Sequence, residues 1–72
     1  MTGAWKRTNC REQHFRIDGR IVAKVTRAPG ETLWTAHAKT GAPFGPYRVI
    51  GLRRDEAVAR KISEEAFTKA NQ

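Results

Sequence analysis

The stretch Thr32 to Lys39 alternates along its length, with Trp34, Ala36 and Ala38 on one side and Leu33, Thr35, His37 and Lys39 on the other. That is the period of a strand with one covered face. A large aromatic followed by two alanines suits a strand lying beneath a closely seated helix, so the Trp34 side is predicted to face inward. His14 to Arg27 reads as a hairpin turning at Asp18-Gly19. A two-residue turn would place Phe15 opposite Val22 and divide the apolar residues between both faces. A three-residue loop, Ile17-Asp18-Gly19, with Gly19 in the left-handed conformation of a bulge, pairs Phe15 with Ile21 instead and is the preferred register. It gathers Phe15, Ile21, Ala23 and Val25 on one face and leaves His14, Arg16, Arg20, Val22, Lys24 and Thr26 on the other.

Between these strands, Ala28-Pro29-Gly30-Glu31 reads as a turn. Thr40 to Pro46, with two Gly and two Pro, reads as a loop. Tyr47 to Leu52 is a candidate further strand. From Asp55 to Ala70 the period changes. Val58, Ala59, Ile62, Ala66, Phe67 and Ala70 fall on about half of a helical circumference at ~100° per residue, and Arg60, Lys61, Glu64, Glu65 and Thr68 occupy the rest. Glu56–Arg60, Arg60–Glu64, Lys61–Glu65 and Glu65–Lys69 are spaced to pair along the helix surface. Residues 1 to 12 show no period and read as a flexible basic arm carrying Lys6, Arg7 and Arg11, with Trp5 as a residue that could instead pin it onto the domain. The expected architecture is therefore α+β: an arm (1–12), then one domain (13–72) in which a small antiparallel sheet of three strands, with the candidate fourth, packs on a C-terminal helix in the order β-β-β-α.

Charge sharpens this picture. Residues 1–54 carry eleven Lys and Arg against three Asp and Glu, whereas residues 55–72 carry three against four. The positive field thus belongs to the strand-rich part, and the helix neutralises itself. A basic sheet backed by a neutral helix suits a nucleic-acid partner, DNA before RNA. On the uncovered face Arg16, Arg20, Lys24, His37 and Lys39, with Thr26 and Thr35 between them, combine phosphate-seeking cations with short hydrogen-bonding groups.

Leu33-Trp34-Thr35-Ala36-His37-Ala38-Lys39, a glycine-containing loop, Tyr47-Arg48-Val49-Ile50-Gly51 and Asp55-Glu56-Ala57-Val58-Ala59-Arg60 together resemble an AP2-type DNA-binding domain. The plan is also similar to that of the arm-binding domains of phage tyrosine recombinases. The resemblance spans roughly residues 20 to 68. It implies three strands with a packed helix, and contact positions near Arg20, Lys24, Arg27, Thr35, His37, Lys39 and Arg48. The implied role is that of a small duplex-DNA-binding protein of phage or mobile-element type, acting as a regulator or recombination accessory. Ile50 and a thinner arginine complement in the first strand depart from the plant-type pattern.

Other readings compete on chemistry. A basic chain also fits an acidic protein partner, as in an antitoxin-like or inhibitor-like module. RNA is a third partner class, although the aromatic signature of an RNA-recognition sheet is missing. Catalysis is not expected. Cys10, His14 and His37 match no zinc spacing, no phosphate loop of the Gly-Lys-Ser/Thr type occurs, and the adjacent Glu64 and Glu65 diverge around the helix. No metal or cofactor is therefore expected. The single cysteine cannot close an internal disulfide, no apolar run reaches the ~20 residues of a membrane span, and no secretory signal opens the chain. These features together suggest a cytoplasmic monomer or weak dimer.

Overall fold

Among the described residues five strands follow one another in chain order as an antiparallel meander, and one helix follows them. The computed structural model describes residues 3–40 and 45–70. The strands are β1 (Gly3–Asn9), β2 (Glu12–Ile17), β3 (Arg20–Thr26), β4 (Trp34–Lys39) and β5 (Tyr47–Arg53), and the helix is α1 (Glu56–Ala70). The α+β class stands, but the expected three or four strands of a β-β-β-α plan are corrected to five. The candidate strand at Tyr47 is present, and the additional one is β1, drawn from the segment read as an arm. β1 belongs to the sheet because Trp5 lies opposite Phe15, with ring centroids 5.2 Å apart. On the same strand Arg7 donates to both carboxylate oxygens of Glu56, at 3.0 and 3.2 Å.

The β2–β3 hairpin differs from its expected register in an instructive way. Asp18 and Gly19 both have positive φ, 52° and 79°, so the connection is a two-residue turn of the type whose twist matches that of the strands. The bulge sits further along, at Val22. Phe15 faces Ala23 while Arg16 faces Ile21, which leaves Val22 as the additional residue. The alternation thereby slips by one. Val22, only 6 % exposed, joins Phe15, Ala23 and Ala38 in the core, and Ile21 shares the opposite side with Arg16. A second bulge, at Ile50, separates the pairs Ala36–Gly51 and His37–Val49. Pro29 and Gly30, the latter at φ 81°, form the turn expected there, closed by Glu31 N–H donating to the Ala28 carbonyl at 3.0 Å. The Thr40 to Pro46 loop lies mostly outside the described residues.

The core is built from small side chains. Ala23, Ala36, Ala38, Ala59 and Ser63 have no exposed surface, and Phe15, Val25 and Trp34 fill the space around them. Alanine under alanine lets the backbone of α1 come close to β3, β4 and β5, on which it packs. Trp34, Ala36 and Ala38 point inward as their alternation predicts. The helix is rotated from its expected setting: the covered line runs through Ala59, Ile62, Ser63, Ala66 and Phe67, while Val58 is 42 % exposed. Ser63 can sit on this line because its hydroxyl donates to the Lys24 carbonyl at 3.4 Å. Asp55 caps the helix, its Oδ1 accepting from the N–H groups of Ala57 (2.8 Å) and Val58 (3.4 Å). Two helix acids serve the sheet rather than the expected pairs along the helix, Glu56 bound to Arg7 and Glu64 Oε1 accepting from Trp5 Nε1 at 3.2 Å. No helix of the described residues is long and apolar enough to cross a membrane.

Two substitutions test the register directly. Val22→Lys buries an unpartnered ammonium and should unfold the domain, whereas Ile21→Lys should change stability by no more than about 1 kcal/mol, as read by urea denaturation. Loss of the cap in Asp55→Ala should cost about 1 kcal/mol in the same assay.

Candidate nucleic-acid interface

The strands hold one acidic residue, Glu12, against many cations, and the sheet sorts those cations by register. Paired residues point to the same side, so each ladder rung can be followed across the sheet. Lys6, His14, Lys24, His37 and Val49 form one continuous rung on the face away from α1. Glu12, Thr26, Thr35 and Leu52 form the next. Arg16 lies beside Ile21 at one end of this face, and Lys39 beside Tyr47 at another. No helix covers these positions.

Of the eight residues expected to form a site, Arg16, Lys24, Thr35, His37 and Lys39 share this outer face. The other three do not. Arg20 pairs with Ile17, which packs on the core. Arg27 stacks its guanidinium over Trp34, 5.1 Å from the ring centroid. Arg48 pairs with the buried Ala38 and thus emerges on the helix side. Lys6 and Tyr47 were absent from that expectation. Lys6 had been assigned to the arm, and Tyr47 had been read only as part of a strand. The Lys24–His37 pairing carries Lys24 across to β4, where Lys39 pairs with Tyr47, and this register could have brought all four residues together.

Tyr47 organises one end of the face. The ammonium groups of Lys24 and Lys39 lie over its ring, 4.6 and 5.1 Å from the centroid, and His37 meets it edge-on at 6.3 Å. Burial, with the charge of Glu12 adding to it, pushes the Tyr47 phenol above its ordinary pKa, so its hydroxyl stays protonated. His37 moves the other way. Burial and then the nearby Lys24 lower its pKa, against a smaller opposing effect of Glu12, and its Nε2 pairs with the Thr26 hydroxyl at 3.1 Å. His14 is engaged on both sides, Nε2 with Glu12 and Nδ1 with the Thr8 hydroxyl at 3.3 Å. Glu12 is thereby hydrogen-bonded to an imidazole rather than to either lysine of this face.

No protein-family model matches the chain, and no curated protein or solved structure matches it either.

The lowered pKa of His37 predicts a pH effect with a definite sign. Because the unfolded chain holds the proton more tightly, the contribution of His37 to stability is complete above its ordinary value of 6.5 and is lost as pH falls through the depressed folded value. Denaturation midpoints measured between about pH 7.5 and about pH 5 should fall, and His37→Gln should remove part of that fall.

Proposed function

We propose that this protein binds nucleic acid through the helix-free face of its sheet, with Lys6, Arg16, Lys24 and Lys39 as the phosphate-contacting cations. The observation that carries the reading is the gathering of these four cations on one surface where Glu12 is the one strand carboxylate among the described residues. Thr35 and His37 supply shorter hydrogen-bonding groups between them. The net charge of +7 adds a long-range field that raises encounter rates with a polyanion.

Binding carried by phosphate contacts releases counterions, so log affinity should fall linearly with log salt, by about 0.9 per neutralised phosphate on a duplex and about 0.7 on a single strand. Lys24→Ala combined with Lys39→Ala should weaken binding and make that slope shallower by one to two such increments, with Lys61→Ala on the exposed side of α1 as the neutral control. Fluorescence anisotropy over a salt series measures both. Absence of binding at low salt, or affinity indifferent to salt, would overturn the proposal.

A further inference from the structure

The outer face is wider and greasier than phosphate contacts alone require. Five strands at ~4.8 Å separation span about 19 Å, whereas the DNA major groove is ~12 Å wide and admits a helix or a two-stranded ribbon. The whole molecule measures 34 × 20 × 18 Å. A narrow sheet could enter the groove face-on, and this one is too broad to do so. Val49 and Leu52, 62 % and 50 % exposed, lie on the same face beside Tyr47 and His37. Apolar side chains and aromatic rings gain little from a duplex surface of phosphates and sugars, because the base faces are stacked out of reach. On a single strand those faces are open.

We infer that the preferred ligand is single-stranded nucleic acid, with one base stacking on Tyr47, its neighbours resting on Val49 and Leu52, and the flanking phosphates held by Lys24 and Lys39. The two ammonium groups occupy the Tyr47 ring in the free protein. When a base takes their place they need to move only the length of a flexible side chain to reach the adjoining phosphates. Cation–π contact thus keeps the lysines beside the site before the ligand arrives, and its loss on binding is offset by the base stack and the new phosphate contacts. His37, edge-on to Tyr47, limits the tilt of that ring. This inference rests on the proposed function, and it selects the strandedness of the ligand.

The test compares an oligothymidylate, an oligouridylate and a mixed-sequence duplex of equal length by fluorescence anisotropy at matched salt. Both single strands should bind more tightly than the duplex, and an oligodeoxyuridylate, which differs from the oligouridylate only in its sugar, identifies the preferred sugar. Tyr47→Ala should weaken oligothymidylate binding about tenfold, Tyr47→Phe should retain it, and duplex affinity should change much less. Val49→Ala with Leu52→Ala, at exposed positions, should also weaken single-strand binding and provides the readout should Tyr47→Ala prove unfolded by circular dichroism. Tighter binding of the duplex, or equal losses on both ligands in the variants, would overturn the inference while leaving nucleic-acid binding intact. Failure to bind any of the three would overturn both.

Discussion

A helix can lie this close to a sheet only where neither surface carries bulk, and the strip of Ala23, Ala36 and Ala38 beneath Ala59 and Ser63 meets that condition. Close approach compensates for the modest apolar area that a chain of 72 residues can bury. Phe15, Val25 and Trp34 then fill the flanks of the strip, and the covered face is complete. Among the described residues the one helix covers one face, and the opposite face carries residues that this packing does not constrain.

The segregation of charge follows from the same arrangement. Cations directed toward the helix side find local uses: Arg27 stacks on Trp34, and Arg7 pairs with Glu56. That ion pair and the Trp5–Glu64 hydrogen bond fasten the edge strand β1 to a helix that packs mainly on the far strands. Each contact at such partly exposed positions is individually modest, and the stacking of Trp5 on Phe15 adds to them. Glu56 and Glu64 thus engage the helix-facing side of β1, on the opposite side of the sheet from the outer face.

On that outer face, charge and aromatic surface occur together. Charge alone attracts any polyanion and is screened by salt, whereas a ring bordered by exposed aliphatic groups distinguishes ligands by whether their bases are accessible. On the proposed reading the four cations would supply the first property, and Tyr47 with the exposed Val49 and Leu52 would supply the second. The breadth of the sheet connects them, because the edge strand β1 both extends the cationic rung to Lys6 and widens further a sheet already broader than the ~12 Å groove.

Alternation over residues 32 to 39, the Pro29-Gly30 turn, the helix from Asp55 and the bias of positive charge toward the strands were all legible in the sequence, because each is a local pattern in which propensity and periodicity agree. The bulges at Val22 and Ile50 were not legible, since an inserted residue leaves no compositional mark and is selected only when the sheet must present Val22 rather than Ile21 to its helix. The same limit explains the site. Arg16, Lys24, Thr35, His37 and Lys39 could be placed by counting, but Arg20 was assigned to the outer face by a register that long-range packing overrides, and Arg27 and Arg48 were named only through the family resemblance, which fixes no side. β1 escaped notice because one tryptophan among polar residues has no period of its own and becomes a strand only against Phe15. Ser63 looked polar, and only the nearby Lys24 carbonyl made its burial favourable. Sequence alone thus determined which segments are strands or helix wherever neighbouring residues carry the information, while tertiary structure decided which side each residue faces, because that choice depends on partners distant in the chain.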